Sequence, residues 1–329
     1  MDNDPKNYYA LIVGINYVGK SHSLNGCVRD ALRMTSLLTN FVGVPRDNIT
    51  LLTDAGESDN TPIAYNIRQA LEWLTVKSKT ASCVIFHFSG HGSRTVDRDG
   101  DEEDGLDEFI VPLDYPRSYI TDDELYMRLF VPAKSNVIAF IDACHSGTAG
   151  DLYYQYNSES NSFKTSGRIE TSTYNYDQVL ISGCKDNQTS VDYFDNNLKQ
   201  YGGAMTNSFI NTFMANNQRI TYRNLLAGMY KFLDSYNMGQ KPQLTCNRKI
   251  NINSLFSLSP GFQYSGQDDA YVEEEIPLEE TKKYIEKLQT KNRYLEMTNK
   301  ELREKLQKLQ NQLVAISKNI DEFKDIMKG

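Results

Sequence analysis

Paired cysteines are missing from this chain. Its five cysteines, Cys27, Cys83, Cys144, Cys184 and Cys246, are odd in number, widely spaced and contain no CxxC. That pattern argues against a disulfide framework or a thiolate zinc site and points to a reducing compartment. No apolar run reaches membrane-spanning length, so no membrane partner is expected. The opening MDNDPKN lacks the basic flank of a signal peptide, and the YYALIVGIN behind it is too short for a signal core. The expected location is cytoplasmic. Basic charge is also short. Residues 1–270 hold 31 acids against 23 bases, whereas 271–329 hold twelve of each, which places the whole net charge of -8 in the first of these stretches. An acidic body argues against nucleic acid as a partner and suits basic substrates or divalent cations.

What is present is ordinary for a globular protein: 329 residues, 40% hydrophobic and 24% charged, enough to bury a sizeable core. Apolar runs of strand length alternate with helical patterns. Tyr8–Asn16, Ile49–Asp54, Cys83–Phe88, Asn136–Asp142 and Gln178–Gly183 read as strands. Helical spacing runs over 25–41, 203–215 and 222–236, and Thr61-Pro62 is expected to open a further helix as N-cap and first residue. Such alternation predicts an α/β fold, a mostly parallel sheet with helices on both faces. Its reactive groups should collect where strands end at their carboxyl edge.

Two strands end in chemically suggestive turns, FHFSGHG and FIDACHSG. A thiol is a useful nucleophile only as thiolate, so Cys144 needs a base within hydrogen-bond reach. The adjacent His145 is poorly placed, because consecutive residues of a strand point to opposite faces; it reads as structural. His91, at the other strand end, can meet Cys144 across the carboxyl edge. Gly90 and Gly92 allow close backbone approach and offer N–H groups for an oxyanion. The competing reading is a core-edge histidine and a buried thiol. Residues two apart share a face, so Asp142 sides with Cys144, and Ser89 with His91. With Asp30 from NGCVRD as a second acid, two carboxylates suit a guanidinium or ammonium group. The residues alone thus describe a thiol hydrolase preferring Arg or Lys.

These stretches, with ALIVGINYVG, LNGCVRDALRM, NITLLTD, DGDEEDGLDEFIVPLDY, ITDDELY, DACHSGTAGDL, ISGCKDNQTSVD, GGAMTNSFI and QKPQLT, closely resemble the metacaspases, cysteine peptidases of the caspase-like clan. The resemblance runs in family order over about residues 7–250. It implies a caspase-like α/β/α sandwich with a central, mostly parallel sheet. It also implies His91 as catalytic base and Cys144 as nucleophile. Asp30, Asp142, Ser89 and Cys27 match the pocket that reads Arg or Lys at P1, the residue whose carbonyl is attacked. The acid run 97–104 fails the EF-hand loop pattern and reads by default as a solvated loop. The family's calcium dependence nevertheless implies Ca2+, with ligands matching Asp107, Asp122, Asp123 and Asp151; the neighbouring Asp101 and Glu103 are expected to add a weaker site. Asp122 and Asp123 sit at a helix start, where the alternative role is capping.

The expected organisation is a peptidase domain over residues 1–262. It comprises a large-subunit-like segment (1–152), a linker (153–177) and a small-subunit-like segment (178–262). A further linker over 263–280 and a coiled coil over 281–329 follow. The short 153–177 interval contains Lys164 and Arg168, either self-cleavage sites or members of an untouched loop. No Pro-rich or zinc-finger region is expected ahead of the motifs. The coiled coil lies outside the family core: from Ile285 an unbroken heptad carries a positions such as Leu306 and Leu313 and d positions such as Leu295, Leu302 and Leu309. Asn292 and Asn299 at a positions favour a parallel dimer, so a homodimer or another coiled-coil partner is expected. Protein substrates are the other expected partners. Two functions compete with the main reading: a catalytically silent scaffold recruited through the coiled coil, and a clan peptidase specific for Asn or Asp.

Overall fold

The computed structural model describes residues 4–55, 61–96, 106–143, 152–165, 176–183, 192–195, 200–238, 240–256 and 258, with the backbone alone at 192–195, 200 and 201. The chain divides into two units, Met1–Tyr264 and Ser265–Gly329. The expected coiled coil, 281–329, and linker, 263–280, lie outside the described residues. Among the described residues no helix is long and apolar enough to cross a membrane.

The first unit runs β1 (Tyr8–Gly14), α1 (Cys27–Leu37), β2 (Ile49–Thr53), α2 (Ala64–Ser78), β3 (Cys83–Ser89), β4 (Gly92–Val96), β5 (Leu106–Ile110), β6 (Ile120–Thr121), α3 (Asp122–Leu125) and β7 (Asn136–Asp142). It continues with β8 (Tyr154–Asn157), β9 (Ser162–Thr165), β10 (Gln178–Ser182), β11 (Asp192–Asp195), β12 (Gln200–Gly203), α4 (Ala204–Ala215), β13 (Ile220–Thr221), α5 (Tyr222–Ser235), β14 (Gln243–Cys246) and β15 (Leu255–Phe256). The main sheet has eight strands in the order β2-β1-β3-β7-β10-β14-β8-β9. The first five pair in parallel and the last three antiparallel. This is the α/β sandwich expected from the alternation of strands and helices.

The central strands read as continuous apolar runs because both faces are covered. On one face Ile12, Ile85 and Phe140 pack with Met34 of α1, Phe209 and Phe213 of α4 and Met229 of α5. Phe209 sits with its ring centroid 4.4 Å from that of Phe140 and 5.8 Å from that of Phe256. On the other face Leu11, Phe86 and Phe88 pack with Leu71 and Leu74 of α2 and with Phe130. The connection from β1 to β2 thus passes over one face and that from β2 to β3 over the other. Between β1 and β3 lies the topological switch point, where doubly wound sheets open a crevice at their carboxyl ends.

Two local expectations are corrected. Thr61-Pro62 does not start α2: the helix begins at Ala64 with Ile63 at the N-cap and no side-chain cap of its own. The Ala64 N–H is met instead by Asp114 Oδ1 at 2.8 Å, so the cap comes from a distant loop. The interval 153–177 contains the β8–β9 hairpin, in which Gln155 pairs with Lys164 and which lines the sheet edge beyond β14. Polar and tyrosine-rich composition hides these strands, because only the Tyr156 face is buried.

Candidate active site

Three strands bring the site together at their carboxyl edge. Gly14 of β1 pairs with Ser89 of β3, and Ser89 with Asp142 of β7. Beyond the sheet the Gly90 N–H donates to the Asp142 carbonyl at 3.2 Å, locking the turn that carries His91 to the strand end that leads into Cys144. That bond corrects one expectation: the Gly90 N–H is spent on the protein and is not free for an oxyanion.

Asp30, Ser89 and Asp142 converge on the helical face covered by α1 and α4, all of them buried. Ser89 Oγ donates to Asp30 Oδ2 at 2.9 Å, and the Gly203 N–H donates to the same oxygen at 2.6 Å. Asn207 Nδ2 donates to Asp30 Oδ1 at 3.3 Å, while the Thr206 N–H donates to Asp142 Oδ2 at 2.7 Å. The two carboxylates therefore share the first turn of α4, where unpaired N–H groups and the positive end of the helix dipole favour negative charge. Gly203 lies between them. A Cβ there would come within 2.6 Å of Asp30 Oδ2 and closer still to Asp142 Oδ2, so any side chain would displace one acid. Burial, then the neighbouring Asp142 charge, pushes the Asp30 carboxyl well above the usual range, against the pull of the Gly203 and Ser89 bonds and Arg33. Cys27, also buried, opens α1 three residues before Asp30 on the same helix face.

His91 lies on the opposite flank, partly exposed. Its backbone N–H donates to Tyr17 Oη at 2.9 Å, and that hydroxyl donates to the Val111 carbonyl at 2.6 Å. Its ring is 4.7 Å from Tyr17 and 5.4 Å from His22, centroid to centroid. Nε2 lies 2.7 Å from the His22 carbonyl. A carbonyl only accepts, so Nε2 carries the proton and the neutral ring keeps its lone pair on Nδ1. Burial, then the charges of His91 and Lys20, lowers the His22 imidazole. The loop carrying His22 is held in turn by Asp54, which accepts from the Asn16 N–H at 2.8 Å and the Val18 N–H at 3.2 Å. Between those two residues Tyr17 takes φ +53°, a left-handed conformation uncommon for a tyrosine.

Cys144 and Asp151 lie outside the described residues, as do Asp101, Glu103 and Arg168. Asp107, in β5, and Asp122, opening α3, are buried, and Asp123 is half-buried. Asp122 accepts from the Glu108 N–H at 3.2 Å and from the Asp123 N–H at 3.0 Å, while the helix is capped by Thr121 Oγ1. Among the described residues no three His, Cys, Asp or Glu side chains come close enough to hold a metal ion. Sequence reasoning missed Tyr17, His22, Asp54, Gly203, Thr206 and Asn207. All but His22 stand in stretches that carry the family resemblance, but nothing local announces their long-range hydrogen bonds.

Residues 9–153 match the family model described as Metacaspase, peptidase C14 domain. Metacaspase-1B of Aspergillus oryzae is 33% identical over 294 residues, spanning 75% of this chain and 69% of that one. Metacaspase-1 of Botryotinia fuckeliana is 35% identical with the same coverage. The chain belongs to the metacaspases. It is accordingly a cysteine-type endopeptidase of the caspase-like clan. Metacaspase-1 of Saccharomyces cerevisiae is similar at 34% identity over 75% of this chain and 68% of that one. The crystal structure of a Geobacter sulfurreducens protein shares the metacaspase's fold, with TM-score 0.53 at 22% identity over 75% of this chain and 97% of that one.

Two outcomes are expected of this metacaspase. Tyr17→Phe strands the His91 N–H and the Val111 carbonyl, so stability should fall by about 1–3 kcal/mol in urea unfolding, and peptidase activity should fall with it. Asp30 titrates with the opposite sign from a salt-bridged acid. Its folded-state value lies above the unfolded one, so its contribution is full below the unfolded value and is lost as pH rises towards the folded one. Melting curves of wild type and Asp30→Asn across that window should therefore diverge in the variant's favour as pH rises; a constant gap would contradict the assignment.

Proposed function

We propose that this metacaspase cleaves peptide bonds after Arg or Lys through His91 and Cys144, in a calcium-dependent manner. The observation that carries the reading is the pair of buried carboxylates, Asp30 and Asp142, beside the strand ends that lead to His91 and Cys144. Their shared burial raises the cost of ionising both, and an entering guanidinium or ammonium group relieves that repulsion directly. Ser89 and Cys27 complete the pocket. The chemistry follows from the tautomer of His91. Nδ1 takes the Cys144 proton, and the thiolate attacks the carbonyl carbon of the P1 residue. Collapse of the tetrahedral oxyanion breaks the C–N bond, and His91 returns the proton to the leaving amine. Water, deprotonated by His91, then hydrolyses the thioester. With the Gly90 N–H engaged, oxyanion donors come from Gly92 and the turn after Cys144.

Calcium would be held by Asp107, Asp122, Asp123 and Asp151. Their carboxylates are the hard oxygen donors calcium takes, and β5–β6 pairing keeps the strand bearing Asp107 beside the turn that opens α3. The described three do not by themselves make a metal site, so the ion would depend on Asp151. It would supply charge neutralisation and loop order, with no role in bond breaking.

Self-processing belongs to the same proposal. Lys164 is paired with Gln155 in the main sheet, so cleavage there requires peeling β9 away; Arg168 is the preferred candidate. A reducing, cytoplasmic setting agrees with the unbridged cysteines Cys27, Cys83 and Cys246, of which burial pushes Cys83 and Cys246 up to about 12. The heptads from Ile285 support a homodimer.

Fluorogenic peptides ending in Arg, Lys, Asp or Asn decide the main reading. Cleavage after Arg and Lys should appear with calcium, vanish with chelator, and fall by at least about 10³-fold in Cys144→Ala. Calcium-independent cleavage, or cleavage after Asp or Asn, would sink it, and an inactive wild type would favour the scaffold. For the coiled coil, sedimentation of the full chain should give a dimer that Leu302→Asp/Leu309→Asp dissociates; a monomeric wild type would retire that prediction.

A further inference from the structure

One buried side chain breaks the pattern of the core beneath this site. His87 lies mid-strand in β3, fully buried, on the face that Ile85 and Cys83 give to the hydrophobic core. Its register neighbours are Ile12 of β1 and Phe140 of β7, both apolar. Its Nε2 is 3.1 Å from Thr206 Oγ1, and its Nδ1 has no hydrogen-bond partner among the described residues. A phenylalanine would fill such a site without an unsatisfied nitrogen, so the imidazole costs stability that packing does not return. Residues that break a local rule in this way mark function more often than accident.

Thr206 shows where that function lies. It stands in the first turn of α4, fully buried, and its own N–H donates to Asp142 Oδ2. One turn edge earlier the Gly203 N–H holds Asp30. An orphaned N–H is costlier than a bare acceptor, which places the His87 proton on Nε2, donated to Thr206 Oγ1. Burial pulls the imidazole down to about 3, so His87 is neutral and sets no positive charge against a basic substrate.

We infer that His87 is a positioning residue of the substrate pocket, acting through Thr206 to fix the first turn of α4 so that its N–H groups stay on Asp142 and Asp30. It touches neither substrate nor reacting atoms. The inference rests on the reading of Asp30 and Asp142 as the P1 pocket.

The test uses the full chain with calcium and fluorogenic Arg and Lys peptides, measuring kcat, KM and thermal melting for His87→Phe, Thr206→Val and His87→Gln. His87→Phe should keep or raise the melting temperature while raising KM about tenfold, with kcat changed less than about twofold. Thr206→Val should do the same, and the double variant should be no worse than either single one, since both cut one link. His87→Gln, which restores a donor near Nε2, should return KM to within about threefold of wild type. An unchanged KM in a folded His87→Phe or Thr206→Val protein would overturn the inference. So would a parallel loss of melting temperature and kcat in all three variants, which is the signature of a merely structural residue. Should His87→Phe not fold, Thr206→Val decides. A wild type that cleaves peptides without regard to P1 charge would remove the pocket reading, and the inference with it.

Discussion

Two carboxyl groups buried side by side set the terms for this structure. Asp30 and Asp142 come from different elements and end against the same helix terminus, where the Gly203 and Thr206 N–H groups hold one acid each. Without those donors two carboxylates out of water would repel and take up protons. The arrangement therefore constrains everything around it. β3 and β7 must keep the register that sets Ser89 against Asp142, α1 must present Asp30 to its core side, and position 203 must have no side chain. Burial and the Asp142 charge keep Asp30 raised despite the bonds it accepts. Under the proposed specificity, a basic P1 side chain would add positive charge to this pair.

The other half of the site is organised around a hydroxyl. Tyr17 Oη takes the His91 N–H and gives its proton to Val111, tying the loop after β1 to the turn after β3 and to the start of the segment beyond β5. The same loop delivers the His22 carbonyl to Nε2, so one piece of backbone determines both where His91 sits and which nitrogen is basic. Asp54, at the end of β2, grips that loop on either side of Tyr17. Three neighbouring strands thus each contribute one constraint on a single imidazole. A carboxyl-edge crevice makes this possible, since the ends of adjacent strands are already held at fixed spacing by the sheet.

The edges of the sheet differ from its centre. Beyond β10 the pairing turns antiparallel, and β14, β8 and β9 extend the sheet, the last two with strands that are only partly buried. The hairpin occupies sequence that reads as a connector, so the chain between the strand of Asp142 and β10 adds two strands to the sheet as well as linking its halves. An edge strand needs few apolar residues because its neighbour supplies the hydrogen bonds.

The layered α/β architecture, the strand ends that matter and the family were all legible in the amino-acid sequence. Each of these rests on a local signal: runs of apolar residues of strand length, helical spacing between them, and short motifs such as FHFSGHG and DACHSG. Alternation along a strand, a local rule, set Ser89 beside His91 and Asp142 beside Cys144; the fold corrects the first pairing, since Ser89 turns to Asp30 while His91 packs on Tyr17. The folded chain was needed to show that Gly203 and Thr206 hold those acids, that Asp114 rather than Thr61 caps α2, that Tyr17 turns left-handed beneath His91, and that Tyr154–Asn157 joins the sheet. Most of those outcomes are hydrogen bonds between residues remote in the chain. Burial and periodicity are written into neighbouring residues, whereas the partner of a distant N–H follows from strand register and helix docking, which exist only once the whole sheet has formed.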